Sequence, residues 1–214
     1  HQPYTSRGHP MNYNAVKPTL WLLFAATTCV LICLAAVKKQ APQRIAAHPI
    51  NGLFLQRQSK SDLHRTLGNE ELAKKLNSLF EAARWAPSSF NGQPWRYVYA
   101  LHGTPEWPAL FNLLVPFNQE WVSQAGALIV VFSKNTTDKT NRPSRTHSFD
   151  TGLATAQLLL QATDMGLVAH PMSGFGFEEA AKVCGISSEY TVEAMIAVGE
   201  SADYVHSRVE QAER

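Results

Sequence analysis

The chain has 214 residues, 45% of them hydrophobic, and a formal net charge of +2 at pH 7. That length and apolar content are enough for one ordinary folded domain with an appendage, and they exclude a disordered chain. Lys and Arg are spread along the sequence, which argues against a nucleic-acid-binding surface. The three cysteines have neither metal-site spacing nor the pattern of a disulfide framework. His147 and Asp150 have no third ligand nearby in sequence, so a surface or capping role is predicted for them.

An apolar stretch near the start of the chain, residues 19–37, contains no charged side chain. A helix of that length spans roughly 28 Å at about 1.5 Å per residue, close to the roughly 30 Å of a bilayer's hydrocarbon core. We therefore predict an N-terminal hydrophobic helix that acts as a transmembrane anchor, preceded by a tail over residues 1–18. A signal peptide, a misread start and an apolar core helix are the alternatives.

The charges beside this stretch predict its orientation. Arg7 and Lys17 precede it, whereas Lys38, Lys39 and Arg44 follow it. Because basic residues favour the cytoplasmic side, the excess after the stretch predicts a membrane-anchored protein with a cytoplasmic domain. If the mature protein lacks the stretch, we expect a soluble cytoplasmic protein.

After a linker over residues 38–46, a single domain is predicted over residues 47–214. Its first clear element is a helix over residues 69–85, where apolar residues recur at helical spacing. Asn69 is predicted to cap the start of this helix, and Pro87 ends it.

Three strands and a second long helix follow. β-Branched and aromatic runs predict strands over residues 95–101, 126–134 and 192–200. Residues 149–166 predict a helix that is apolar on nearly every face, and we expect it to be buried in the domain or against a partner subunit. The order of helices and strands is irregular, which indicates an α+β domain.

The connector before the first strand is polar at its centre and aromatic at its edges. Residues 86–94 of this connector, here called the signature loop, read "APSSFNGQP". On its own such a stretch predicts only a turn. In its context "EAARWAPSSFNGQPWRY", however, it resembles the characteristic loop of the FMN-dependent nitroreductase family.

Further segments resemble the same family in the same order, so that the likeness covers roughly residues 47–200. They are "LQRQSKS" at 55–61, "NQEW" at 118–121, "DTGLATAQLLLQATDMGLVAHPMSGF" at 150–175 and "IAVGE" at 196–200. The resemblance implies a central, mostly antiparallel sheet flanked by helices, and a homodimer with FMN at the interface.

The resemblance also assigns residues to the FMN phosphate and ribityl chain. In residues 57–61, here called the phosphate segment, it implies that Arg57, Gln58, Ser59 and Ser61 bind the cofactor. An Arg fork and a hydroxyl suit a phosphate dianion. Relatives usually carry a second basic residue at the position of Ser61, and many continue into a longer C-terminal arm with further basic residues.

Other residues are assigned to the flavin ring. The resemblance implies that residues 171–174, here called the ring-facing loop, place the Ser173 N–H against flavin N5, and that Asn118 reaches the flavin. It implies that part of the signature loop approaches the ring from the neighbouring subunit. The residues implied for the ring are Pro87, Ser88, Ser89, Asn91, Asn118, Pro171, Met172, Ser173 and Gly174.

The implied activity is that of an FMN-dependent oxidoreductase. NADH or NADPH would reduce the flavin, which would then reduce a nitroaromatic, a quinone or a related acceptor in a ping-pong mechanism. The chemistry belongs to the flavin, so no catalytic side chain and no metal are predicted. Two alternatives are a membrane-anchored reductive dehalogenase of the same fold, and a non-catalytic interaction protein with a degraded FMN site.

Overall fold

The computed structural model describes residues 44–137 and 140–201. The described elements belong to a compact unit that begins at Ala46. The predicted tail, anchor and most of the linker, together with residues 202–214, lie outside the described residues, so the predictions for them stay predictions. Among the helices that the structure describes, none is long and apolar enough to cross a membrane.

A five-stranded sheet lies at the centre of the domain, and all of its described strand pairs are antiparallel. The strands are β1 (Leu63–His64), β2 (Trp95–Leu101), β3 (Ala127–Lys134), β4 (Val168–Met172) and β5 (Tyr190–Ser201). The order β1-β5-β3-β2 forms one path, and β4 also pairs with β5. β3 is buried on both faces from Ala127 to Ser133, which explains its continuous apolar sequence.

Helices cover both faces of this sheet. They are α1 (Gly52–Gln56), α2 (Asn69–Arg84), α3 (Trp107–Phe111), α4 (Pro116–Val122), α5 (His147–Asp164) and α6 (Phe177–Val183). Side chains alternate between the two faces along each strand. On one face Val130 and Phe132 pack with α3, α4 and α6, and on the other Ile129 and Val131 pack with α2 and α5. The predicted α+β fold with an antiparallel sheet flanked by helices is therefore confirmed.

The start of α2 differs from the prediction. Asn69 is the first helical residue, and Gly68 is the N-cap, with its carbonyl accepting from the Leu72 N–H at 3.0 Å. The Asn69 amide instead donates to the carbonyl of His102 at 3.2 Å. The prediction that Asn69 is the N-cap is thus wrong, because its side chain joins the helix to the turn after β2.

The second long helix, α5, is only partly covered within one protomer. Asp150, Thr151, Ala154, Leu158 and Ala162 are buried. The apolar side chains on its other faces are partly or largely exposed; they are Phe149, Leu153, Leu159 and Leu160. The apolar sequence on nearly every face therefore exceeds what one protomer buries, which supports the expectation of a partner subunit.

Candidate functional site

The signature loop is a strained connection between α2 and β2. Phe90, Asn91 and Gln93 have φ angles of 52°, 55° and 45°, in the left-handed region. Asn adopts this region readily, whereas Phe and Gln seldom do. Phe90 and Gln93 each cost on the order of 1–3 kcal/mol in this region, so contacts elsewhere must hold the loop in this shape.

Part of that support comes from side chains within the loop. Ser88 Oγ accepts from the Gln93 N–H at 3.0 Å, and Gln93 Nε2 donates to Asn91 Oδ1, also at 3.0 Å. Arg96 closes the loop by donating to the Gln93 carbonyl at 2.9 Å. Ser88 and Asn91 thus brace the loop, and the hydroxyl proton of Ser88 and the amide protons of Asn91 can still be donated to a ligand.

The strongest support comes from α5. The Ser89 N–H donates to Asp150 Oδ2 at 3.0 Å, and Thr146 Oγ1 donates to the same oxygen at 3.0 Å. Asp150 is only 5% exposed. The interpretation of Asp150 as a surface residue was therefore wrong, because its carboxylate is buried beneath the loop, where it caps the Ser89 N–H. A single acidic residue in the first turn of an apolar helix was the available signal.

Removing this carboxylate should destabilise the protein. We expect Asp150→Ala to lower the free energy of unfolding by about 2–3 kcal/mol, because two donors in partly buried hydrogen bonds lose a charged acceptor. Thr146→Val is the matched control, since it removes one donor and leaves the carboxylate, and it should cost roughly 1 kcal/mol. Urea denaturation measures both, and an Asp150→Ala variant as stable as the Thr146→Val variant would contradict this role.

The aromatic residues at the edges of the loop behave differently from each other. Trp95 is 8% exposed and packs in the core. Trp85 is 76% exposed, and its indole N–H donates to Glu81 at 3.0 Å. Within one protomer, therefore, Trp95 anchors its edge of the loop and Trp85 does not.

The ring-facing loop packs closely against α4. Asn118 is 7% exposed and donates through Nδ2 to the Gly174 carbonyl at 3.0 Å. A Cβ atom at Gly174 would lie 2.5 Å from Asn118 Nδ2 and 3.0 Å from Val115 Cγ2. Gly174 is therefore needed for this close approach. The second amide hydrogen of Asn118 remains available to a ligand.

The residues around Gly174 have distinct environments. Ser173 is exposed, and Pro171 is half-buried in β4 opposite Ile196. Met172 is 9% exposed and packs in the hydrophobic core. The role implied for Met172 beside the flavin stays a prediction, and with its side chain in the core that role would fall to its backbone.

The phosphate segment follows the end of α1. Arg57 is the C-cap residue of this helix, and its Nη1 donates to Ser59 Oγ at 3.3 Å. Ser59 and Ser61 are exposed. Gln58 lines an open groove that Thr163 and Ser201 also border. Most of the predicted phosphate-binding side chains are thus accessible to a ligand.

The phosphate segment and the ring-facing loop lie in the same half of the site. His170 Nδ1 donates to the carbonyl of Lys60 at 2.9 Å, which ties the phosphate segment to β4. The signature loop lies near the opposite edge of the sheet, because it leads into β2, and β5 and β3 separate β4 from β2. Three strand spacings correspond to about 14 Å. One protomer therefore holds two separated halves of the predicted site.

A polar cluster that the sequence did not reveal lies beside the signature loop. Ser133, the register partner of Trp95, contacts His147 Nδ1 at 2.7 Å and also Glu193. The serine and the glutamate approach the same ring nitrogen, so this geometry is not the relay of a hydrolase triad. In the part of the chain that the structure describes, no group of His, Cys, Asp and Glu is arranged to hold a metal ion.

The antiparallel sheet with helices on both faces defines an α+β domain, and the Arg57–Ser59 pair and the close approach at Gly174 are compatible with the flavin site that the motifs imply. A model of the Nitroreductase family matches residues 64–200. The chain belongs to the Nitroreductase family, as its motifs predicted, and it is therefore an oxidoreductase by class.

Individual relatives agree with this membership. The chain is 34% identical to a solved structure described as an oxidoreductase containing FMN, over 78% of this chain and 84% of that one, with a TM-score of 0.70. It is 27% identical over 168 residues to a Bacillus subtilis (strain 168) protein provisionally named NAD(P)H nitroreductase YdgI, covering 61% of this chain and 78% of that protein. A nitroreductase-like structure from Exiguobacterium sibiricum 255-15, solved in complex with FMN, shares the fold, with 23% identity, a TM-score of 0.60 and coverage of 75% and 91%.

Proposed function

We propose that this protein is an FMN-dependent oxidoreductase that uses NADH or NADPH to reduce nitroaromatic, quinone or related acceptors. The observation that carries the proposal is the set of contacts that joins the phosphate segment, Asn118 and the ring-facing loop in one half of the site. The relatives described as containing FMN, and as an NAD(P)H nitroreductase, support the choice of cofactor and reductant.

The chemistry of the side chains fits FMN. Arg57 and Ser59 lie within 3.3 Å of each other at an accessible position, and together they offer a planar set of donors and a hydroxyl for a phosphate dianion. Gly174 presents backbone without a side chain, and Ser173 beside it is exposed. A flat ring can therefore approach the backbone of the ring-facing loop closely.

When bound, FMN supplies the chemistry of accepting a hydride from the nicotinamide and passing electrons to the acceptor. The chain itself binds and orients. Arg57 and Ser59 would hold the phosphate, the Ser173 N–H would be offered to the ring, and Asn118 fixes the loop that carries it. This division of roles requires no side chain that acts as a general acid or base.

We propose further that the protein is a homodimer in which the signature loop of one protomer completes the site of the other. The two halves of the predicted site lie near opposite edges of the sheet within one protomer. Large apolar side chains beside both halves are exposed, namely Phe90 at 91%, Phe117 at 73% and Phe149 at 69%. Covering such side chains is a common driving force for subunit association.

Purified full-length protein, kept in detergent because of residues 19–37, tests this proposal. We expect the visible absorption of oxidised flavin with one FMN per protomer, and a particle of dimer size. NADH or NADPH should bleach the flavin under anaerobic conditions, and a quinone or nitroaromatic should restore its colour.

The same preparation separates the alternatives. A colourless protein that neither takes up FMN nor oxidises NADPH would contradict the proposal and favour the non-catalytic interaction protein. Turnover of a halotyrosine in preference to nitroaromatics and quinones would favour the reductive dehalogenase. A monomer that binds FMN fully would contradict the shared site alone.

A further inference from the structure

A stacked pair of aromatic side chains links the two regions predicted to hold opposite ends of the flavin. Trp121, near the end of α4, stacks on His170 of β4, with a distance of 4.4 Å between the ring centroids and an angle of 24° between the planes. Both side chains are half-buried. We call this pair the Trp121–His170 bracket.

Each member of the bracket is hydrogen-bonded to one of these regions. Trp121 Nε1 donates to Asn118 Oδ1 at 3.1 Å, and Asn118 in turn donates to Gly174 of the ring-facing loop. His170 Nδ1 donates to the carbonyl of Lys60 in the phosphate segment. A continuous chain of contacts therefore runs from Gly174 to Lys60.

We propose that Trp121 and His170 are positioning residues that set the spacing between the phosphate segment and the ring-facing loop. The inference rests on the proposed binding of FMN. The ribityl chain limits how far the phosphate of one FMN molecule can lie from its ring, so a change in this spacing weakens contacts at one end or strains the chain between them. A ligand that has the ring but no phosphate does not depend on the spacing.

Riboflavin is such a ligand, because it shares the ring and the ribityl chain of FMN and lacks the phosphate. The informative quantity is therefore the ratio of the affinities for FMN and riboflavin. A role in spacing lowers this ratio when the bracket is disrupted. General destabilisation of the site lowers both affinities and leaves the ratio unchanged.

Two variants remove one link each and keep an aromatic ring in the stack. Trp121→Phe loses the donor to Asn118, and His170→Phe loses the donor to Lys60. We expect each variant to lower the FMN-to-riboflavin affinity ratio by about 3- to 10-fold, the loss expected for one hydrogen bond. Trp121→Leu, which also abolishes the stack, should lower the ratio further.

Another Trp and His contact in this protein provides the matched control. His102 and Trp107 have ring centroids 4.6 Å apart, and neither residue belongs to a predicted flavin-binding segment. Trp107→Phe should leave the affinity ratio at the wild-type value even if it lowers stability. Fluorescence titration of the full-length apoprotein with each flavin measures these affinities.

The outcomes distinguish this inference from the proposed function. If the wild-type protein binds FMN and both Trp121→Phe and His170→Phe retain the wild-type ratio, the bracket has no role in spacing and the proposed function stands. Equal losses for FMN and riboflavin would likewise overturn the spacing role. If the wild-type protein binds neither flavin, the proposed function fails and the inference fails with it.

Discussion

Replacing Arg57 with alanine is expected to weaken FMN binding by about 30- to 150-fold, which corresponds to roughly 2–3 kcal/mol. The physical reason is the loss of charge-assisted hydrogen bonds from the guanidinium to a phosphate dianion. Ser61 carries no charge that could compensate. Titration of the apoprotein with FMN measures the change, and riboflavin binding should be nearly unaffected.

Arg84→Ala is the control for a general effect of charge. Arg84 is 67% exposed and pairs with Glu81 on α2, at 3.4 Å. Its removal takes away the same formal charge at an exposed ion pair of little energetic value. An equal loss of FMN affinity in both variants would show that Arg57 acts through net charge and not as a phosphate ligand.

The complementary variant Ser61→Lys should tighten FMN binding. Ser61 is exposed at the end of the phosphate segment, so a lysine can be accommodated there and adds a second cation. We expect the gain to shrink as salt is added, because screening weakens exposed charge pairs. Unchanged or weaker FMN binding at low salt would mean that the phosphate lies elsewhere.

Replacing Gly174 with alanine is expected to disturb both stability and the flavin site. The added Cβ would lie 2.5 Å from Asn118 Nδ2, and Asn118 is buried and hydrogen-bonded. The ring-facing loop must therefore shift, and we expect a loss of about 1–3 kcal/mol in the free energy of unfolding. FMN binding should fall at least about 10-fold, since the Ser173 N–H moves with the loop.

Two comparisons test the cause of this effect. A Cβ atom added at Gly152 in α5 would meet no atom of the described residues within 4 Å, so Gly152→Ala should be neutral or stabilising by roughly 0.5–1 kcal/mol. The double variant Gly174→Ala with Asn118→Ala removes the closer of the two clashes, the one with Asn118 Nδ2. Its loss of stability should be smaller than the sum of the two single losses, and strict additivity would exclude the clash as the cause.

Elements with a strong local pattern could be predicted from the sequence. β2 was predicted with both of its ends correct, and β3, α2 and α5 to within two residues. β1 and β4 were missed because they are short, and β4 also contains Pro171, which is unusual within a strand. The prediction of Asn69 as the N-cap was wrong because its side chain donates a hydrogen bond outside the helix, to the carbonyl of His102.

For the candidate site, too, the local motifs could be recognised in the sequence and the long-range contacts could not. The motifs by themselves determined the family, since each is a short run of residues with defined chemistry, and the order of helices and strands determined the α+β class. The segments assigned to the flavin, and a second cation expected where Ser61 stands, were implied by the resemblance and stay predictions.

Only the tertiary structure decided which side chains support those segments. Asp150 holds Ser89 across 61 positions of sequence, and His170 holds Lys60 across 110. Local patterns do not encode such pairs, because the partners meet only when the sheet brings α5, β4 and the loops together. The two halves of the predicted site are separated for the same reason: the strand order, and not the spacing of the motifs, places them near opposite edges of the sheet.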